Sequence, residues 1–480
     1  MVRGILFEVI LLITFLQVIF LGTVIFFENR DPAKTIIWLL VLGSLPIFGT
    51  LLYLVFGRVV RKRRLFRRRH FGNNRLEQIL QNERSKLTAD DLNMESALPK
   101  KNKLVRLLFN DNLAPLTVNN HSEVLTNGEE TFKAIFVALK TAKNHIHLEY
   151  YIFKDDLVGR DIQNILITKV SEGVKVRVLL DGWGSITMAK RLRELKRAGV
   201  ETAWFSPIRF PFLSSQLNLR NHRKIIVVDG QVGFVGGLNI GDEYLSRSKR
   251  FGFWRDTFLK LEGESVHLLQ KVFIHDWYYV NREKLHGRKY FPKPKLVGNQ
   301  LIQIAASGPD SDWETILQVF FASMAGAEKT IYIETPYFIP DESTLMALKT
   351  AALSGLDVKI ISQGIPDHRL TYWASHSYFE QLLAAGVQIF QYQRGILHAK
   401  ILIVDGQLGS VGSTNFDTRS FRLNFEISAF IYHSDFAMRL ERDFNQDLED
   451  SAEIIFEQFQ QRPWTERFKE SSARLLSPLL

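Results

Sequence analysis

One phrase of sequence occurs twice in this chain, and it constrains the fold more than any other feature. Residues 222–229 read His-Arg-Lys-Ile-Ile-Val-Val-Asp, and residues 398–405 read His-Ala-Lys-Ile-Leu-Ile-Val-Asp. Both copies continue into a Gly-Gln pair and reach an asparagine, Asn239 or Asn415. Composition predicts far less than one such His-x-Lys-x-x-x-x-Asp pattern in the whole chain. The chain therefore contains an internal duplication, which any fold must accommodate.

Further segments repeat in the same order before each copy of the phrase. A strand-like apolar run is followed by a helical stretch and a second apolar run. The paired segments are 146–153 and 331–338, 159–171 and 343–354, and 173–181 and 355–362. A strand, a helix and a strand at this spacing form a βαβ unit with parallel strands. The expected fold class is α/β, with two tandem repeats at 118–300 and 301–480 related by a pseudo-two-fold axis.

The N-terminal part of the chain is its only strongly apolar region. Residues 5–27 carry one charge and residues 35–57 carry none, and each run is long enough to cross a bilayer as a helix. The polar join at 28–34 contains Pro32, which is typical of a turn. A cleaved signal peptide fits poorly, because the first run is too long and a second one follows. The sequence predicts a transmembrane helical hairpin over residues 1–57.

A dense basic segment follows the second apolar run. Eight Lys or Arg and no acid lie between Arg58 and His70, and removing them from the 61 basic residues leaves 53 against 51 acidic ones. By the positive-inside rule, both ends of the hairpin face the cytoplasm. We expect a multi-pass protein of the cell membrane, with a basic neck at 58–117 and a catalytic body on the cytoplasmic side. The basic run either sets topology alone or also attracts anionic lipids.

The body of the chain is nearly neutral, and the chain has no cysteine. Near-neutrality argues against nucleic acid as a partner, because polynucleotide binding favours a basic face. The lack of cysteine excludes disulfides, thiolate metal sites and cysteine nucleophiles. Oligomeric state is left open.

The repeated phrase places particular side chains together. Residues two apart on an extended segment share a face, so His222 lies beside Lys224, and His398 beside Lys400. Asp229 faces the other way and precedes a glycine, as does Asp405, which is a strong hairpin signal. Each aspartate is therefore either a turn residue or a catalytic one.

The strand returning from each hairpin brings polar groups back towards the His-Lys face. These are Asn239 in the first half and Ser413 and Asn415 in the second. Lys ammonium groups and Asn amides donate hydrogen bonds well to phosphate oxygens. Two histidines suit a two-step displacement, in which one attacks phosphorus and the other protonates the leaving alcohol.

These residues resemble the phospholipase D superfamily, whose hallmark is two His-x-Lys-x-x-x-x-Asp motifs in one active site, and more closely its bacterial cardiolipin synthases. The resemblance covers nearly the whole chain. It rests on the two motifs and on residues 29–38, 53–57, 146–153, 181–185, 220–224, 236–244, 254–256, 307–309, 415–420, 424–426 and 477–480.

The resemblance implies a reaction and a set of roles. Two phosphatidylglycerols would give cardiolipin and glycerol through a phosphatidyl-histidine, without metal or cofactor. The catalytic set would be His222, Lys224, Asp229, His398, Lys400 and Asp405. In the superfamily the first histidine is usually the nucleophile and the second the general acid, although the sequence cannot separate the two roles.

The resemblance also implies a carboxylate that holds each histidine tautomer. Glu426 fits in the second half and Asp256 in the first, although either could be an ordinary surface or loop carboxylate. The two halves are not identical. Gly237 stands where the second half has Ser413, so only one half offers a hydroxyl to the phosphate.

Arg220 shares the extended face of His222 and Lys224, whereas its counterpart in the second half is the apolar Ile396. We hypothesise that Arg220 binds a phosphate of the second lipid or of the product; an exposed loop arginine is the alternative. Among other functions, a phospholipase D-type hydrolase or another phosphatidyltransferase would use the same motifs. A membrane-anchored lipid-binding scaffold would leave both His-Lys pairs idle.

Overall fold

Strands and helices alternate along most of the chain in the computed structural model, which describes residues 102–112, 114–206, 219–311 and 313–480 and parts of the first 53 residues. The strands are β1 (Thr117–Thr126), β2 (His145–Tyr150), β3 (Lys175–Asp181), β4 (Glu201–Phe205), β5 (Ile225–Val228), β6 (Val232–Gly236), β7 (Phe253–Arg255), β8 (Thr257–Gly263), β9 (Gln300–Ser307), β10 (Thr330–Glu334), β11 (Phe338–Ile339), β12 (Asp357–Gln363), β13 (Gln388–Tyr392), β14 (Gly395–Leu397), β15 (Ile401–Val404), β16 (Leu408–Gly412), β17 (Phe416–Asp417), β18 (Glu426–Tyr432) and β19 (Ser451–Glu453).

The described helices include one near the N-terminus and others distributed through both repeats. They are α1 (Pro32–Ser44), α2 (Asn102–Asn112), α3 (Asn127–Thr141), α4 (Leu157–Ser171), α5 (Ala189–Arg197), α6 (Ser265–Asn281), α7 (Thr315–Ala325), α8 (Glu342–Leu353), α9 (Arg369–Leu383), α10 (Thr418–Arg422), α11 (Ser434–Glu449), α12 (Phe456–Gln460) and α13 (Trp464–Arg474). Short 3₁₀ helices lie at Ile186–Met188, Asp242–Leu245 and Ser477–Leu479.

The duplicated strand–helix–strand segments form parallel units, as their sequences predict. β2 pairs in parallel with β3, and helix α4 connects them. β10 pairs in parallel with β12, and helix α8 lies between them along the chain. These strands are rich in Val, Ile and Leu and are largely buried, which is typical of parallel strands covered on both faces.

One sheet of fifteen strands joins the two repeats within the described residues. From one edge its order is β19-β13-β12-β10-β15-β16-β18-β9-β1-β8-β6-β5-β2-β3-β4. Read outward from the central β9–β1 pair, the two sides follow the same order of repeat elements, and β19 adds a strand at one edge. The topology therefore shows the pseudo-two-fold duplication, and the chain has an α/β fold with tandem repeats.

Each repeat has its own apolar core, and a third core is shared by both. The shared core lies where helices α6 and α11 cover the central strands. It contains Leu269 from α6, Leu440 from α11, and Leu259 and Ile427 from the strands. Burial of these side chains stabilises the pairing of the repeats, at about 25 cal/mol per Å² of apolar surface removed from water.

The Asp-Gly pairs form tight hairpins, as predicted. β5 pairs antiparallel with β6, and β15 with β16. Asp229 has φ 53° and Asp405 has φ 56°, and the following glycines also have positive φ. Two successive positive φ angles are characteristic of a type I′ turn, which glycine and aspartate tolerate best.

The predicted hairpin at 1–57 lies largely outside the described residues. Helix α1 is its longest described element. Within the part of the chain that the structure describes, every helix falls short of the length and apolar character that a membrane crossing requires.

The predicted neck also lies largely outside the described residues, but its end forms helix α2. The buried side chains of Leu104, Val105 and Leu108 pack with the core of the second repeat. Gln303 of β9 donates hydrogen bonds to the carbonyls of Val105 and Ala114, at 3.2 and 2.8 Å. These contacts attach the start of the body to its central strands.

Candidate active site

The two motif histidines lie on extended segments immediately before β5 and β15. His222 is 9% exposed and His398 is 8% exposed. The N–H of His222 donates to the carbonyl of Phe425 at 2.9 Å, and the N–H of His398 donates to the carbonyl of Arg255 at 2.7 Å. The backbone of each motif is therefore held by the other repeat.

The carboxylates that contact the histidines are crossed between the repeats. His222 Nδ1 lies 2.9 Å from Glu426 Oε1, and His398 Nδ1 lies 2.7 Å from Asp256 Oδ2. The sequence suggested one histidine-orienting carboxylate in each half, and each of these carboxylates contacts the motif histidine of the opposite half. The crossed arrangement follows from the backbone, because the segments that carry Glu426 and Asp256 bond to the opposite motif.

This arrangement selects one tautomer of each imidazole. When Nδ1–H donates to a buried carboxylate, Nε2 keeps its lone pair and can attack phosphorus or accept a proton. Burial lowers the pKa of His222 to about 4; the charge of Glu426 opposes this shift and that of Lys224 adds to it. Burial and the charge of Lys400 also lower the pKa of His398. Both imidazoles are therefore neutral at neutral pH in the free protein.

Glu426 is ionised despite being fully buried. Burial favours its protonated form, but the interaction with His222, the ammonium of Lys224 and the hydroxyl of Ser413 together lower its pKa below the ordinary range. The hydroxyl of Ser413 and the amide of Asn424 also donate to this carboxylate. Ser413 thus contacts the orienting acid directly.

Each motif lysine lies against its own histidine. Lys224 Nζ donates to the carbonyl of His222 at 2.6 Å, and Lys400 Nζ donates to the carbonyl of His398. Burial lowers the pKa of Lys224 to about 7 and that of Lys400 to about 8. An entering phosphate would raise both values, because a nearby anion favours the charged ammonium.

The predicted asparagines are buried near the ends of the returning strands. Asn239 accepts from the N–H of Ile152 at 3.1 Å and donates to the hydroxyl of Tyr244 at 3.3 Å. Asn415 donates to Asp417 at 3.2 Å, and its Oδ1 is buried without a hydrogen-bond partner. The two amides therefore make different contacts in the two repeats.

Gly237 is required by the position of Asp256. A Cβ atom at residue 237 would lie 2.2 Å from Asp256 Oδ1, which is too close for any side chain. The second repeat has room for Ser413 at the matching place. The difference between the halves is therefore a packing requirement of the carboxylate that orients His398.

Arg220 is buried, not an exposed loop residue. Its Nη1 lies 3.8 Å from Asp181 Oδ1, and its guanidinium carbon lies 5.7 Å from the centre of the Trp183 ring. Burial lowers its pKa, and the charge of Asp181 opposes that shift. Its counterpart Ile396 packs in the apolar core of the first repeat. A buried cation therefore lies two residues before His222 in one half only.

Asp229 and Asp405 bind main-chain groups at the hairpins. Asp229 accepts from the N–H groups of Lys143, Asn144 and His145. Asp405 accepts from those of residues 328, 329 and 330. These bonds lie at the far ends of β5 and β15 from the motif histidines.

Two aromatic neighbours of the histidines were not identified as site residues from the sequence. The Tyr151 ring centre is 5.0 Å from that of His222, and the Trp254 ring centre is 5.3 Å from that of His398. Both lie in segments that resemble the superfamily, which was the available signal. They form apolar sides of the site.

Two buried ionic clusters beneath the histidines were also missed. In one, Arg223 pairs with Asp276 and its Nε donates to the carbonyl of Glu426 at 3.1 Å. In the other, Arg255 pairs with Asp447 and its Nη1 donates to the carbonyl of Asp256 at 2.6 Å. Each arginine thus fixes the backbone of a histidine-orienting acid.

Each cluster contains a second buried carboxylate from the duplicated first strand. Asn221 donates to Glu149 at 2.5 Å, and Arg255 lies 3.7 Å from Glu334. Burial, with the charge of the neighbouring aspartate, raises the pKa of both Glu149 and Glu334 well above the ordinary range. Burial therefore favours the protonated form of both glutamates. Across the described residues, no group of three or more His, Asp or Glu is arranged to hold a metal ion.

Comparisons with known proteins identify the family of the chain. The family model described as "Cardiolipin synthase, PLD-like domain" matches residues 135–277 and 320–448, and a model described as "Phospholipase_D-nuclease N-terminal" matches residues 15–58. The cardiolipin synthase of Geobacillus kaustophilus is 48% identical over 97% of this chain and 92% of its own length. The major cardiolipin synthase of Bacillus subtilis is 42% identical over 95% of this chain and 96% of its own length.

A solved structure shares the fold. The phosphatidylserine synthase of Haemophilus influenzae aligns over 79% of this chain and 100% of its own, with a TM-score of 0.60 and 16% identity. At that identity the likeness concerns the fold alone.

Proposed function

Because this chain belongs to the cardiolipin synthase family with phospholipase D-like domains, and is a phosphatidyltransferase, we propose that it converts two phosphatidylglycerols into cardiolipin and glycerol through a phosphatidyl-histidine. One observation carries the mechanism. Two buried histidines each place Nδ1 within hydrogen-bonding distance of a carboxylate of the opposite repeat, with a lysine beside each.

The proposed reaction has two displacements at phosphorus. Binding of the anionic phosphodiester raises the pKa of His398, which takes up a proton at Nε2. His222 Nε2 then attacks the first phosphatidylglycerol, the bond from phosphorus to the glycerol headgroup breaks, and the His398 imidazolium gives its Nε2 proton to the leaving oxygen. The headgroup hydroxyl of a second phosphatidylglycerol then attacks, His398 accepts its proton, and the bond to His222 breaks. Atoms balance as cardiolipin plus glycerol, and both histidines return to their starting state.

Donors around the histidines would stabilise the charge that develops on phosphate. We assign this role to the ammonium groups of Lys224 and Lys400, which are buried and therefore act strongly. The amides of Asn239 and Asn415 would assist after exchanging a protein contact for a phosphate oxygen. Ser413 would act through Glu426, to which it donates.

Arg220 is proposed to bind the phosphate of the second lipid or of the product. The buried guanidinium beside Trp183 supports this role, because such a site holds an anion with little competition from water. If Arg220→Lys leaves the apparent affinity for phosphatidylglycerol unchanged, the assignment is wrong. Arg247→Lys, at an exposed ion pair with Asp242, is the matched control.

The reaction is tested with purified full-length protein and phosphatidylglycerol labelled in the acyl chain or in the headgroup. Cardiolipin and free glycerol are expected in equal amounts, with and without chelator. Phosphatidic acid as the main product would mean hydrolysis instead, and loss of activity with chelator would contradict the metal-free mechanism.

The roles of the two histidines are separated by trapping the intermediate. With an acyl-labelled phosphatidyl-p-nitrophenol, whose leaving group needs no general acid, His398→Ala is expected to accumulate label on the protein, because only the second displacement then needs His398. His222→Ala is expected to carry none. The reverse pattern would exchange the nucleophile and the general acid.

We further propose that residues 1–57 form a two-helix membrane hairpin, with a basic neck at 58–117 and repeats at 118–300 and 301–480. The apolar runs and the basic segment after them support a multi-pass protein of the cell membrane with its body in the cytoplasm. Since the chain has no cysteine, a single cysteine at Asn29 can report topology. A membrane-impermeant thiol reagent should label it in intact cells, whereas a cysteine at Ser171 should react only after lysis.

A further inference from the structure

Helix α13 exposes apolar side chains to its surroundings and buries a glutamate. Trp464, Phe468 and Leu475 are 75%, 65% and 81% exposed, whereas Glu470 and Ala473 are buried. The spacings of four and seven residues place the three apolar side chains on one face. A helix on a water-facing surface normally shows the opposite pattern.

Polar contacts hold α13 in this orientation. Arg462 forms ion pairs with Glu470 at 2.8 Å and with Glu380 of α9 at 3.0 Å. Arg474 donates to the carbonyl of Ser377 at 3.0 Å, and Ala473 belongs to the core of the second repeat. Rotating the helix to hide its aromatic side chains would expose Ala473 and separate Glu470 from Arg462 and Arg474 from Ser377, so the apolar face stays outward.

Cationic side chains flank the apolar face. At 100° per residue, Arg467 and Arg474 lie along one side of it and Lys469 along the other, and all three are exposed. Aromatic side chains bordered by Lys or Arg are typical of helices that lie in the plane of a bilayer surface. Trp is also favoured at the level of lipid headgroups. The charge of this face complements anionic phosphate headgroups.

The chain that follows α13 contacts a residue near the candidate active site. The N–H of Arg419, in α10, donates to the carbonyl of the C-terminal residue Leu480 at 2.8 Å. The charge of Arg419 acts on Arg220 and on Tyr151, the ring of which packs against His222. The C-terminal residue therefore contacts a residue that lies within electrostatic range of Arg220 and Tyr151.

We propose that α13, with Leu475 and Leu479 after it, docks the body on the surface of an anionic bilayer. The proposal rests on the proposed function, because an enzyme that joins two phosphatidylglycerols must take both from a membrane. Docking through this face would bring the mouth of the site to the lipid headgroups and limit the access of bulk water.

The position of the helix is tested with a fluorophore on a single cysteine. Ser471 is exposed and lies seven residues after Trp464, so Ser471→Cys places a label on the apolar face. Ser171→Cys, at the exposed end of α4, is the matched control. The labelled full-length protein is reconstituted in phosphatidylglycerol vesicles and quenched with iodide or with lipids that carry a nitroxide.

We expect the Ser471 label to be quenched by nitroxide lipids and protected from iodide, and the Ser171 label to behave in the opposite way. Equal iodide access at both positions would overturn the proposal. Protection from iodide without lipid quenching would mean that a second copy of the chain covers the helix, and would also overturn it. Unchanged lipid quenching in pure phosphatidylcholine vesicles would contradict the preference for anionic lipid.

A kinetic test uses the double variant Trp464→Ser/Phe468→Ser. We expect KM for phosphatidylglycerol in mixed micelles to rise about tenfold with kcat unchanged, since interfacial binding scales with the apolar surface buried. The midpoint of thermal unfolding should not move, because both side chains are exposed. Leu353→Ser, at another exposed leucine, is the control and should leave KM unchanged.

An unchanged KM in the double variant would count against docking. If the wild-type protein makes no cardiolipin, the proposed function fails, yet the quenching experiment still reports whether α13 meets the bilayer. The two failures are therefore distinguishable.

Discussion

At the scale of single residues, the chemistry of this protein depends on contacts between side chains that are far apart in sequence. His222 and Glu426 are 204 residues apart, and His398 and Asp256 are 142 residues apart. The motif identified both histidines and both lysines, because a spacing of two residues is a local property. Their partners could not be paired from local pattern, since only the tertiary backbone bonds decide which carboxylate meets which imidazole.

Removing the charge of either orienting carboxylate should slow catalysis strongly without unfolding the protein. We expect Glu426→Gln and Asp256→Asn to lower kcat by about 10²–10⁴-fold, because the imidazole loses its preferred tautomer and the stabilisation of its positive charge. Initial rates of cardiolipin formation measure the effect. Glu262→Gln, at the solvent-accessible side of β8, is the control, and a similar loss there would point to a general effect of acidic residues.

The pH dependence of kcat/KM should follow the buried lysines and histidines of the free enzyme. The pKa values of Lys224 and Lys400 are lowered to about 7 and about 8, so phosphate binding should weaken as pH rises through that range. The pKa of His222 is lowered to about 4, so the nucleophile should be lost only as pH falls through that value.

Rates at a series of pH values should therefore give an acid limb near 4, a decline as His398 loses its proton, and a further alkaline limb between about 7 and 8. Lys224→Arg should move the alkaline limb upward, because a guanidinium stays protonated. A profile that stays flat through pH 10 would contradict the assignment of charged lysines to phosphate binding.

At the scale of secondary-structure elements, the hairpins after each motif were predictable and their carboxylates were not. The Asp-Gly pairs indicated the turns because few residues tolerate positive φ. From the sequence, Asp229 and Asp405 could each be either a turn residue or a catalytic residue. The structure shows each carboxylate bound to three main-chain N–H groups, which supports the turn role.

Asp229→Ala should therefore reduce stability more than chemistry. Loss of an acceptor for three N–H groups is expected to lower the free energy of unfolding by about 1–3 kcal/mol. The kcat of the folded protein should change by less than about threefold. Thermal unfolding and initial rates measure the two effects, and Asp405→Ala should behave alike. A loss of kcat similar to that of His222→Ala would restore the catalytic role.

Gly237→Ser tests whether the difference between the repeats is required. The new Cβ would displace Asp256 from His398, and a misplacement of about 1 Å is expected to lower kcat by about 10²-fold. The reciprocal change, Ser413→Gly, removes a hydrogen bond to Glu426 without a clash, so its effect on kcat should be smaller. Equal effects would mean that packing at residue 237 is not the controlling factor.

At the scale of the whole molecule, the two repeats form one sheet and one site. The sequence predicted the duplication and the parallel units, because both are repeated local patterns. It did not predict the fifteen-stranded sheet, which depends on the antiparallel pairing of β1 with β9 and of β9 with β18. Nor did it predict that α2, in the segment interpreted as a neck, packs with the second repeat.

A chain cut between Lys295 and Leu296 should test this interdependence. Leu296 is 73% exposed, so the cut removes no core contact. Each half alone should be inactive, because neither histidine keeps its carboxylate, and co-expressed halves should recover cardiolipin formation. Activity of either half that persists when that half is monomeric would show that one repeat contains a complete site.

The contacts between each histidine and the carboxylate of the opposite repeat also affect how the two halves can come to differ in sequence. A single repeat could satisfy its histidine only by pairing with a copy of itself, and two identical copies must carry identical half-sites. Covalent fusion removes that restriction. In a fused chain, one half can have Gly237 and Arg220 while the other has Ser413 and Ile396. Two identical substrate molecules can then bind at chemically different positions.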